Sequence, residues 1–168
     1  MAKERGFSLI ELLIVVAILL ILAAISIPNM LKSRQVANQA SAVGSMRTIN
    51  TAEVTYASTY NTGYSTTLAQ LGGSGPVATT ASAELIDTVL ASGVKSSYQF
   101  YYVACPAAPG PNTGAMANGA CAYVATYQAS ANPLGGSVNG VSYFSDASGV
   151  IRSNTTAAAG PADSPIGN

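Results

Sequence analysis

Between Phe7 and Leu31 the chain carries a single charged side chain, Glu11, and Leu12 to Ile25 contains no polar residue at all. Lys3 and Arg5 precede the run. A helix over Phe7 to Ile27 is long enough, at ~1.5 Å per residue, to cross a hydrocarbon core of ~30 Å. A helix apolar on every side must be covered by lipid or by other copies of itself, so this segment constrains everything after it. Positive charge followed by an apolar stretch is the pattern of a secretory signal and of a simple anchor, and Ala24-Ile25-Ser26 supplies a small-x-small cleavage site. Two features fit those readings badly. An unpaired carboxylate inside a membrane costs roughly 2.5–3.5 kcal/mol at the centre and less near the interface, so Glu11 needs a partner. Helical character also continues past the membrane length, which a disposable signal has no reason to encode.

That continuation is read from Val36, Ala40, Val43, Met46, Ile49, Ala52, Tyr56 and Tyr60, which recur at spacings of three or four, with Arg34, Gln39, Arg47 and Glu53 mostly off the stripe. Gly44 alone intrudes, at ~1 kcal/mol against Ala. Pro28 lacks a backbone donor and clashes one turn back, which predicts a kink or local melting near Ala24–Pro28. The pattern as a whole predicts one helix from about Phe7 to Tyr60, roughly 80 Å long.

Gly6-Phe7-Ser8-Leu9-Ile10-Glu11, followed by Leu12-Leu13-Ile14-Val15-Val16-Ala17-Ile18 and later by Ile27-Pro28-Asn29, closely resembles the N-terminal signal of type IV pilins and type II secretion pseudopilins. The resemblance implies that a prepilin peptidase cuts between Gly6 and Phe7, that Phe7 becomes an N-methylated N-terminus, and that Glu11 and Pro28 serve assembly. It implies an α+β fold in which a long N-terminal helix packs on a small antiparallel sheet, a lollipop outline. The expected organisation is a leader over 1–6, a transmembrane and assembly helix over 7–28, the amphipathic half over 29–60 and a globular head over 61–168. Physically, the Phe7 amine and the Glu11 carboxylate can partly neutralise each other in the bilayer. In a filament, Glu11 of one subunit can instead pair with the Phe7 amine of its neighbour, with desolvation offsetting much of the gain.

The back of the chain is turn-rich: 14 of 16 Gly and 7 of 8 Pro follow position 60. Asn61 to Gly75 reads as a loop and Ser82 to Ser92 as a short helix capped by Ser82, with Leu85, Ile86, Val89 and Leu90 buried. Strands are predicted at Tyr98–Ala104, Ala122–Ala129, Val141–Ser145 and Val150–Ser153, with a hairpin turn at Asp146-Ala147-Ser148-Gly149. Sequential strands with short polar links predict an antiparallel meander covered by the amphipathic half of the long helix. Cys105 and Cys121 flank a Pro- and Gly-rich link. They read as two unrelated buried thiols or, in an exported protein, as a disulfide contributing roughly 3 kcal/mol. The strand tyrosines Tyr98, Tyr101, Tyr102, Tyr123, Tyr127 and Tyr143 are explained by sheet packing.

Several functions are disfavoured at this stage. There is no His, which removes Ser-His-Asp and Cys-His nucleophile systems and His-ligated metals. Net charge is zero, so a nucleic-acid partner lacks its main source of attraction. Asp146 and Asp163 are isolated, so no metal and no cofactor are expected. Asn154-Thr155-Thr156 fits a glycosylation pattern only weakly. The leading expectation is a non-enzymatic structural subunit of a helical cell-envelope filament, type IV pilus major pilin-like. It would sit in the inner membrane in a single pass before assembly, and in a periplasmic or extracellular filament afterwards. Its partners would be other copies of itself, the prepilin peptidase, an inner-membrane assembly platform, minor pilins and, before assembly, membrane lipid. The alternatives are a major pseudopilin of a type II secretion system and a membrane-tethered binding module.

Overall fold

A computed structural model describes residues 7–73, 75, 77–104, 124–135 and 140–167. Its elements are α1 (Leu9–Tyr60), α2 (Leu68–Leu71), α3 (Thr88–Ala91), β1 (Val94–Lys95), β2 (Tyr98–Ala104), β3 (Tyr127–Pro133), β4 (Ser142–Asp146) and β5 (Arg152–Asn154). The chain divides into two compact units, Met1–Ala37 and Asn38–Asn168.

The described part of the first unit is helical from Leu9, and the Ser8 carbonyl accepts from the Glu11 and Leu12 amides at 3.1 and 3.2 Å. None of its described side chains is buried. The local melting expected at Ala24–Pro28 is not present, because α1 runs unbroken through Pro28. Proline removes one i to i−4 bond, and the intact turns on either side suffice to carry the helix across it.

The second unit holds the core. On α1 the buried residues are Ala42, Ser45, Met46, Ile49, Ala52, Glu53 and Tyr56, which repeat at helical spacing and form one stripe. Met46, Ile49, Ala52 and Tyr56 fall on the stripe predicted from the sequence. Val36 and Ala40 do not: both are exposed, so burial begins only at Ala42. Glu53, placed off the stripe by its charge, is fully buried on it.

The five strands form one antiparallel sheet in the order β1-β2-β3-β4-β5, as the meander pattern predicts. Register places Phe100, Ala131, Tyr143 and Ser153 in one cross-strand row, and alternation puts Tyr98, Tyr102, Tyr127 and Ala129 on that same face. Tyr98, Phe100, Tyr127, Ala129, Ala131 and Tyr143 join Met46, Ile49, Ala52 and Tyr56 in a single hydrophobic cluster. The α+β arrangement is therefore a long N-terminal helix packed on a five-stranded antiparallel sheet.

Two local expectations need correction, and a third holds. The predicted helix over Ser82–Ser92 shrinks to Thr88–Ala91, and its cap is Asp87, whose side chain accepts from the Leu90 amide at 2.8 Å. The preceding segment is recruited by tertiary bonds instead, with Ala83 N donating to Gln70 O at 2.8 Å and Leu85 N to Leu71 O at 2.7 Å. Val89 is consequently exposed. The strand expected at Ala122–Ala129, whose residues 122 and 123 lie outside the described residues, runs instead from Tyr127 to Pro133, through Ala129, Ser130 and Ala131, residues of low strand propensity held by pairing on both sides. The turn after β4 forms as expected, with Gly149 N donating to Asp146 O at 2.9 Å and Gly149 at φ 73°.

Candidate functional site

The first candidate site is the start of α1. Glu11 lies in its first turn, where a carboxylate faces the positive end of the helix dipole. It is exposed, and its side chain has no hydrogen bond or ion pair among the described residues. Around it stand Phe7, Leu9, Ile10, Leu12, Leu13 and Ile14, all at least half exposed. An uncovered acid amid uncovered apolar surface is unsatisfied among the described residues: the apolar groups call for lipid or protein, and the acid then calls for a cation. α1 is long and apolar enough to cross a membrane. Pro28 lies inside the same helix. Gly6, Cys105 and Cys121 fall outside the described residues, and with them the expected cleavage geometry and the expected disulfide.

A second constellation was not read from the sequence. Glu53 is fully buried, and its Oε2 accepts from Ser65 N at 2.9 Å while its Oε1 lies 2.6 Å from Ser65 Oγ. Ser65 is itself fully buried, and Ser65 Oγ also reaches Thr67 O at 3.1 Å and Tyr102 Oη at 3.2 Å. Tyr102 Oη donates to Ser65 O at 3.0 Å. Burial raises the Glu53 pKa, with the hydrogen bonds from Ser65 and Tyr102 opposing the shift. Burial likewise pushes the Tyr102 and Tyr127 hydroxyls up, with the Glu53 charge acting in the same direction. The Tyr102 ring stacks on Tyr127 at 5.8 Å, and Tyr64 meets Tyr127 edge-on at 4.8 Å. This node ties α1 to the chain after it and to β2. Glu53 and Ser65 at its centre are closed to solvent, while Tyr64 and Tyr102 are half-buried. The available sequence signal was the one-turn relation of Glu53 to Ile49 and Tyr56, outweighed by its charge.

Of the remaining acids, Asp87, Asp146 and Asp163 are engaged locally. Asp163 Oδ1 accepts from Asn154 Nδ2 at 2.9 Å and Oδ2 from Gly160 N at 2.7 Å. Asn154 Oδ1 in turn accepts from the Thr156 and Ala157 amides, so the side chain of the glycosylation pattern is held in a turn. Among the described residues no three of His, Cys, Asp and Glu come together as a metal site.

Residues 1–27 match the prokaryotic N-terminal methylation motif. The motif contains Gly6, Phe7 and Glu11, the residues of the first candidate site. The chain is also similar to the type IV major pilin protein PilA of Myxococcus xanthus, 46% identical over 54 residues, which are 32% of this chain and 24% of that protein. A second similarity is to the type IV wide pilus major component PilA4 of Thermus thermophilus, 60% identical over 38 residues, 23% of this chain and 29% of that one. The chain thus matches less than a third of either relative's length. No solved structure matches it. The methylation motif and both similarities support a pilin-type structural subunit, and the motif takes in the first turns of the helix whose surface is left uncovered.

Proposed function

We propose that this protein is the major subunit of a helical cell-envelope filament of the type IV pilus kind. The observation that carries the reading is Glu11, unpaired and exposed in the first turn of an uncovered apolar helix, within a methylation motif. Before assembly the helix sits in the inner membrane in a single pass. A prepilin peptidase removes residues 1–6, and the amine of Phe7 is methylated while keeping its charge. An assembly platform then moves the subunit into the filament, where minor subunits join it and the apolar helices cover one another. In that bundle Glu11 of one copy neutralises the Phe7 amine of the next, an attraction that sets register even where desolvation cancels much of its stabilisation. Export also favours a Cys105–Cys121 disulfide, checked by the mass change on reduction and alkylation. The similarity to two pilus major subunits favours this over a secretion pseudopilus.

The test compares sheared-filament yield with total membrane-bound subunit. Glu11→Ala removes an intramembrane charge, so insertion should be at least as good as in the parent. Filament yield should nevertheless collapse, because the neighbour's amine loses its partner. Normal yield at normal subunit level removes the pairing mechanism. Mass spectrometry of the mature N-terminus should find methylated Phe7, and Gly6→Val should leave full-length precursor. An intact Met1, or a cut after Ser26, would sink the filament reading.

A further inference from the structure

In the unit Asn38–Asn168 most charges among the described residues are already partnered. Lys95 Nζ pairs with Asp87 Oδ2 at 2.6 Å, Arg152 Nη1 donates to Asp163 O at 3.0 Å, and Asp163 uses both carboxylate oxygens. Glu53 is buried, and Asp146 Oδ1 accepts from Ser148 N at 2.9 Å. Two groups are left over. The Arg47 guanidinium and the Glu84 carboxylate are both exposed, and neither bonds to any described residue. Glu84 stands at φ 55°, in the left-handed region that non-glycine residues rarely adopt, with its side chain turned to solvent.

Arg47 lines an open groove of about 310 Å³ together with Thr48, Thr51, Ala52, Thr55 and Leu85. The hydroxyls of Thr48, Thr51 and Thr55 donate back to the carbonyls of Gly44, Arg47 and Thr51. Their donors are spent, so the groove offers methyl groups and oxygen acceptors around one free cation. One turn before Thr48 sits Gly44, and a Cβ placed there meets nothing within 4 Å. No described residue therefore requires glycine at this helix-interior position, where glycine is the poorest residue but proline.

We infer that the groove beside Arg47 receives the Glu84 segment of a second copy of this chain, with Gly44 left bare for its approach. The leftover cation and the leftover acid then satisfy each other between copies, and the uncharged rim sets their register. This rests on the filament reading and adds to it a contact in the head.

The test uses the full-length chain in a host that assembles it, again reading sheared filaments against membrane-bound subunit. Gly44→Leu introduces a better helix former into open space, so subunit level should hold. Filament yield should fall by about tenfold or more, since an overpacked contact loses at least that factor in affinity. Arg47→Glu should lower yield likewise, and Arg47→Glu combined with Glu84→Arg should recover it. Wild-type yield from Gly44→Leu overturns the inference, as does a loss in Arg47→Glu that the double reversal does not recover. A drop in the level of the Gly44→Leu subunit itself overturns it too, by placing Gly44 in folding. Failure of the parent chain to polymerise would instead sink the filament reading.

Discussion

At Glu53 a carboxyl is withdrawn from water with no cation beside it, and desolvation raises its pKa above the ordinary 4.5. The protonated form suits the site: its O–H can donate to Ser65 Oγ, whose own O–H then donates to Thr67 O at 3.1 Å. Below the unfolded value both states carry the proton, and this group's stabilising contribution is complete. As pH rises through the folded value the folded state must ionise a buried group, so the contribution is lost. Glutamine reproduces the protonated hydrogen-bond pattern, with Oε1 accepting from Ser65 N and Nε2 donating to Ser65 Oγ. Glu53→Gln should therefore leave stability at neutral pH equal or higher, and should flatten the decline that sets in as pH rises above the ordinary 4.5. Urea unfolding across that range checks it, and an unchanged slope would mean that Glu53 stays ionised in its pocket. Glu53→Ala should cost roughly 1–3 kcal/mol at every pH, because the buried Ser65 amide loses its acceptor.

Elements whose pattern is set by local chemistry were readable in the sequence. α1 was legible because apolar residues at helical spacing run on past Pro28, and β2 was legible to its ends because alternating aromatic residues have few other uses. Elements held by distant bonds were not. Ser82–Asp87 has helical spacing, yet the bonds of Ala83 and Leu85 to Gln70 and Leu71 hold it open. β1 is two residues long and exists because Ser96 and Ser97 reverse the chain, at φ 51° and 61°, to pair Lys95 with Tyr98. No turn residue announces that hairpin, since the positions that favour Asn-Gly hold serines. Ser97 is exposed, whereas Ser96 Oγ bonds Ser41 Oγ at 2.8 Å, so only the former is free to change. Ser97→Gly should stabilise the unit by about 0.5–1 kcal/mol by relieving a left-handed non-glycine residue, and thermal unfolding measures it. At the other edge, Ser153 N donates to Ser164 O and Ile166 N to Ile151 O, so the C-terminal segment lines β5. Asp163 fastens it through Asn154 and Gly160. Asp163→Ala should free that segment and cost roughly 1–3 kcal/mol, read as faster amide exchange at Ser153 and Ile166. The methylation motif was legible because Gly6, Phe7 and Glu11 lie close together in sequence. The Glu53 node was not, because Ser65 and Tyr102 meet it only through the fold.

Taken as one molecule, the chain joins a segment that cannot be stable alone in water to one that should be. Every buried hydrophobic residue described lies at or after Ala42, and the core cluster draws on α1, α2, α3 and the sheet without using any described residue before Asn38. The apolar surface of Leu9 to Leu31 supplies none of that core, whatever it later contributes against lipid or other copies. A chain starting at Asn38 should thus fold as a soluble unit, losing only the few backbone bonds at its new helix start. A Ser or Asp placed before Asn38 would cap those amides and return about 1 kcal/mol. Its melting temperature should lie within a few degrees of that of the same unit in the detergent-solubilised full chain, since about 1 kcal/mol moves a domain of this size by roughly 2–8 °C. It should stay monomeric and build no filament, because Phe7 and Glu11 are gone and the leftover charges of Arg47 and Glu84 are too weakly paired in water to hold copies together. Circular dichroism melting and light scattering of the truncated chain settle both points. A truncated chain without a cooperative transition would show that the head borrows stability from the first half of α1, and polymer from it would move the assembly determinant out of the methylation motif.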